Sequence, residues 1–146
     1  MEKGESTTEG IAQKAFSEIF SRFSSLKVTE NKDEPVEISY TMNVQSGLKY
    51  KVWLSLQNND ELHFSVENFW LEWFPCTKRE EVDVYIDAVS GFLSGKYRIL
   101  EHYRGKKCVK AELQKPGGDS WKTIGTWGVL WLSFPWKKTH REIRNT

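Results

Sequence analysis

The chain has 146 residues, 38% hydrophobic and 28% charged, which suits one folded domain better than two. Lys and Arg number 21 against 20 Asp and Glu, and a formal charge of +1 gives no field to steer the molecule onto nucleic acid or an anionic membrane. The polar start shows no secretory apolar region, no apolar run reaches the roughly 18 residues of a membrane span, and Cys76 and Cys108 fit no zinc or redox spacing. A cytoplasmic protein with reduced thiols is therefore expected.

Residues 1–7 are expected to be a flexible terminus. Ser6 with Glu9 reads as a capping box ahead of a helix over Ile11–Leu26, in which Ile11, Ala12, Ala15, Phe16, Ile19, Phe20 and Phe23 recur at three- and four-residue spacing. Thr29–Pro35 is polar and reads as a connecting loop. Val36, Ile38, Tyr40 and Met42 then alternate with polar residues. After a turn at Gln45–Gly47, so do Leu48, Tyr50, Val52, Leu54 and Leu56.

Asn58-Asn59-Asp60 reads as a three-residue hairpin loop. That length sets Leu56 opposite Leu62, Leu54 opposite Phe64, Val52 opposite Val66 and, on the reverse face, Lys51 opposite Glu67. Apolar positions are even-numbered up to Val66 but odd-numbered at Phe69, Leu71 and Trp73. A β-bulge near Asn68 in one long strand would carry this change of phase. It places Trp70, Glu72 and Phe74 on the face that already holds Trp53.

Thr77 with Glu80 reads as a second capping box, ahead of a helix over Lys78–Phe92. Its apolar stripe is Val82, Tyr85, Ile86, Val89 and Phe92, and Gly95 is its expected stop. A hairpin about Gly105-Lys106 is expected to set Glu101 opposite Lys110 and to turn Leu100, His102, Val109, Ala111 and Leu113 inward. Strands over Trp121–Thr126 and Gly128–Phe134 follow the turn at Pro116–Asp119. Residues 137–146 are basic and expected to be a second flexible terminus.

The fold class expected is α+β: two layers, a mostly antiparallel sheet of six to eight strands with both helices on one face, in the order α-β-β-β(-β)-α-β-β-β(-β). No phosphate loop, nucleophile elbow, zinc-binding or EF-hand pattern occurs, so no catalytic residue, cofactor or metal is read from the sequence. His63 alternates outward and is expected to be solvated. His140 belongs to the charged tail. Cys76 precedes a helix without a histidine beside it and reads as a half-buried thiol.

Function rests on the aromatic residues. Seven Trp, eight Phe and five Tyr exceed what one small core readily absorbs, and Trp121, Trp127, Trp131 and Trp136 crowd the C-terminal strands. Trp53, Trp70 and Phe74 on one sheet face point to a non-enzymatic protein-binding or adaptor module, meeting a partner protein or a second copy of itself. The competing arrangement closes these rings into a second small core. The alternative function is a small-molecule-binding cup or small enzyme with its pocket near Glu101, His102 and Tyr103. Neither nucleic acid nor a membrane is expected as a partner.

Overall fold

The computed structural model describes residues 7–128 and 138–146. Helix α1 (Thr8–Arg22) buries Ala12, Ala15, Phe16 and Ile19 of the predicted stripe, with Ile11, Phe20 and Phe23 half-buried beside them. Its N-cap is Thr7, whose Oγ1 accepts the Gly10 N–H at 2.9 Å; Ser6 lies outside the described residues. Helix α2 (Arg79–Leu93) buries Val82, Tyr85, Ile86, Val89 and Phe92, again as predicted. Its N-cap is Lys78, so Thr77 sits one residue too early to cap, and no side-chain cap bond forms. Gly95, at φ 81°, stops the chain behind it.

The first sheet is an antiparallel meander of β1 (Thr29–Glu30), β2 (Ile38–Met42), β3 (Val52–Gln57), β4 (Glu61–Val66) and β5 (Phe69–Trp73), side by side in that order. The segment expected as a loop thus opens with a two-residue strand. The β3–β4 hairpin has the predicted register, Leu56 to Leu62, Leu54 to Phe64 and Val52 to Val66. Asn58 and Asn59 in its loop take positive φ, a conformation asparagine tolerates. Lys51 and Glu67 lie just beyond the last pair of this ladder, and each side chain has another partner. The Lys51 Nζ stands 4.5 Å over the Trp53 ring, and Glu67 pairs with Arg141 at 3.1 Å.

The expected bulge near Asn68 is a hairpin turn instead. Glu67, at φ 53°, and Asn68 reverse the chain, and Val66 pairs directly with Phe69. A two-residue turn flips the parity of inward positions just as a bulge does, so the side-chain prediction survives the wrong backbone. Phe69 and Trp73 are buried, Leu71 is half-buried against the core rather than fully buried, and Glu72 is exposed.

Strands β6 (Arg98–Arg104), β7 (Lys107–Gly117), β8 (Ser120–Gly128) and β9 (Lys138–Arg144) form a second antiparallel sheet in the order β8-β7-β6-β9. The single sheet of six to eight strands is therefore two sheets, nine strands among the described residues. Alternation tells which face of a strand is buried but not which strand it pairs with. Residues 138–144, expected as part of a flexible terminus, pair with β6 along their length, and Ile143 is fully buried. The expected strand over Gly128–Phe134, with Trp131, and Trp136 beyond it, lies outside the described residues except at Gly128.

Both helices cover the inner face of the first sheet, α1 against β3 and α2 against β4 and β5, and the second sheet packs on β5 through β7 and β8. Leu71 approaches Gly125 so closely that a Cβ there would come within 2.8 Å of its Cδ2. Helix stripes and the inner faces of both sheets make one continuous apolar cluster. The opposite face of the first sheet is left outside it.

Candidate functional site

Side chains that alternate away from the core form rows across the first sheet. Thr41, Trp53, Ser65 and Trp70 make one row; Ser39, Ser55, His63 and Glu72 make the next. Ser65 separates the two tryptophans, which therefore stand two strands, roughly 10 Å, apart. Trp53 is 36% exposed and Trp70 50%, and these two share this face; Phe74, 50% exposed, follows the end of β5, and none of the three rings is closed into a second core.

The chain after β1 covers one flank of this face. Asn31 Nδ2 donates to Thr41 Oγ1 at 2.7 Å and to Ser39 Oγ at 3.0 Å. Ser39 in turn donates to Glu34 Oε1 at 2.7 Å. These bonds explain how Ser39 and Thr41 can be buried on a polar face without an orphaned hydroxyl.

His63 corrects the sequence reading most sharply, being 5% exposed rather than solvated. Its Nδ1 accepts the Trp70 indole N–H at 2.7 Å, and its Nε2 lies 3.0 Å from Glu61 Oε1. An indole only donates, so these partners assign the tautomer with its proton on Nε2, directed at Glu61. A bond from Asn58 is the main force holding the Glu61 carboxyl below its usual range. From the helix layer, the buried Tyr85 hydroxyl donates to the His63 carbonyl at 2.8 Å. The strand that carries the histidine is thus pinned through its backbone from within, while its ring holds Trp70 outside.

Between the two tryptophans lies an open recess of about 230 Å³, with Ser39, Ser55, Gln57, Ser65 and His63 along its floor and Glu34 at its rim. Its walls are aromatic and its floor is hydroxyl, amide and imidazole.

Glu101, His102 and Tyr103 do not all fall on one side of the second sheet: Tyr103 bonds Glu101, whereas His102 bonds Glu112. The register of β6 against β7 shifts by a residue between His102 and Tyr103, which sets Glu101 opposite Ala111 and His102 opposite Lys110. On β6 inward and outward are exchanged relative to the prediction, with Ile99 and Glu101 buried in place of Leu100 and His102, while Ala111 and Leu113 of β7 are buried as predicted. His102 bonds Glu112 and meets the edge of the His140 ring on the outer side. Glu101 is fully buried and accepts Asn68 N–H at 3.1 Å, Asn68 Nδ2 at 3.0 Å and the Tyr103 hydroxyl at 2.7 Å, with Arg141 Nη1 at 3.5 Å. Burial first, then the bond to Glu101, pushes the Tyr103 phenol up. This carboxylate ties the Glu67-Asn68 turn of one sheet to the other sheet, which is a structural task.

Cys76 is buried, and burial, reinforced by the charge of Asp60, raises its thiol, the opposite of what a nucleophile requires. Among the described residues no three His, Cys, Asp or Glu side chains come together as a metal site, and no helix is long and apolar enough to cross a membrane. No family model, curated protein or solved structure matches the chain.

Proposed function

We propose that the protein is a non-enzymatic binding module whose contact surface is the outer face of the first sheet, and that its occupant is a partner protein. The observation that carries this reading is Trp70: half exposed, yet fixed through its indole N–H by a buried histidine. An exposed tryptophan normally forfeits side-chain freedom on binding; a ring already held in place forfeits less. Trp53 and Phe74 extend the aromatic area, and partly desolvated tryptophans of this kind dominate protein interfaces energetically. A recess of about 230 Å³ falls below the roughly 300–1,000 Å³ of ordinary ligand pockets but suits one side chain of a partner. Both cysteines are free thiols, which supports placing the module in the reducing cytoplasm.

Partners captured from the source cell by the wild type, and then purified, provide the test. Trp70→Ala should weaken the complex by roughly 30-fold or more, the scale of a hot-spot truncation. Binding unchanged in a folded Trp70→Ala protein would refute the reading.

A further inference from the structure

Charge decides which side chain the recess suits. Among the described residues, Glu34 lines the recess, Glu72 stands opposite His63, Glu61 lies at the start of its strand and Lys51 over Trp53, with Lys32 and Asp33 exposed beside Glu34 in the segment that covers the flank. Glu61 is engaged by Asn58 and His63, and Glu37 by the Asn59 N–H. Glu34 stands at the rim with Oε1 bonded to Ser39. The surface around the two rings is therefore acidic, and the faces of the rings are themselves electron-rich.

Elsewhere the molecule pairs such rings with its own cations. Lys51 Nζ lies 4.5 Å from the Trp53 centroid. Arg98 and Arg144 stand over Trp121 at 4.4 and 5.1 Å. Among the described residues no cation stands over Trp70.

Building on the protein-binding reading, we propose that the recess receives an arginine side chain of the partner, its guanidinium against Trp70 and Trp53 and paired with Glu34. Arginine fits better than lysine on two counts. A planar guanidinium stacks on an indole face, and its five N–H donors match a rim carboxylate and a floor of hydroxyl and amide acceptors. Lys51 is then a tethered competitor, occupying part of the Trp53 face and repelling the incoming charge.

The test uses the full chain with ¹⁵N-labelled indoles, titrated with acetyl-Gly-Arg-Gly-amide and with its neutral isosteric citrulline twin. One such contact should bind in the millimolar range. The arginine peptide should shift the indole signals of Trp53 and Trp70, and the citrulline peptide should not. Glu34→Gln should weaken binding about fivefold, while Lys51→Gln should strengthen it about threefold. Equal binding of the twin, shifts confined to other tryptophans, no shift at all, or weaker binding by Lys51→Gln would each overturn the proposal. The two readings fail separately. If Trp70→Ala abolishes partner binding while citrulline binds as well as arginine, the surface stands and the arginine does not; if Trp70→Ala leaves partner binding intact, the surface itself is wrong.

Discussion

Trp121 and Trp70 occupy comparable outward positions on the two sheets and end differently. Trp121 of β8 lies beneath Arg98 of β6 and Arg144 of β9, so the second sheet covers its own ring with its own charge. Trp70 has a buried histidine behind it and no cation in front among the described residues. Its orientation is fixed while its face stays open. The two acid-centred clusters differ in the same sense: buried Glu101 joins the sheets and faces inward, whereas half-buried Glu61 and buried His63 hold a ring that faces outward. One arrangement completes the fold; the other presents a surface.

The comparison can be broken first at the core. Phe64, fully buried beneath the sheet, touches Phe69 and Phe92, and Phe64→Ala should cost about 3–5 kcal/mol in urea unfolding. A loss no larger than that of Trp70→Ala would mean that inner and outer faces had been exchanged. Glu101→Gln comes next, at about 2 kcal/mol. It keeps the shape but makes one acceptor a donor, confronting Asn68, Tyr103 or Arg141 with an N–H. The same change should leave binding at the outer face unaltered, and a large binding defect with intact stability would return Glu101 to a functional role.

The smallest effect is a pH dependence on the second sheet. Burial alone would raise the Glu112 carboxyl, but bonds from Thr123 and His102 and the nearby charges of Lys110 and His102 outweigh it and hold it below its usual range. A carboxyl lowered on folding stabilises the protein at and above the ordinary glutamate range, and that contribution is lost as pH falls below it. The stability gap between wild type and Glu112→Gln should therefore be present at neutral pH and shrink in acid. A gap that widens in acid would contradict the assignment.

Alternation made the aromatic face legible from sequence, because inward and outward positions of β3, β4 and β5 follow parity alone. It could not distinguish a bulge from a two-residue turn at Glu67-Asn68, since both change parity. The burial of His63 was hidden because its cover is Trp70, which reaches it from the adjacent strand. Nor could spacing reveal the one-residue shift opposite His102, and that shift alone exchanged the roles of Glu101 and His102. Strand β9 was unreadable because Ile143 is the single aliphatic residue in a segment of charged and polar ones.

The central claim is that Trp70 serves a contact and not the core. Unfolding free energy and affinity for the purified partner, measured on the same Trp70→Ala protein, test it most directly. The account predicts a stability loss of about 1 kcal/mol, from the unpaired His63 nitrogen, together with a binding loss of about 2 kcal/mol or more. A stability loss of about 3 kcal/mol or more, or a partner that binds undiminished, would contradict it.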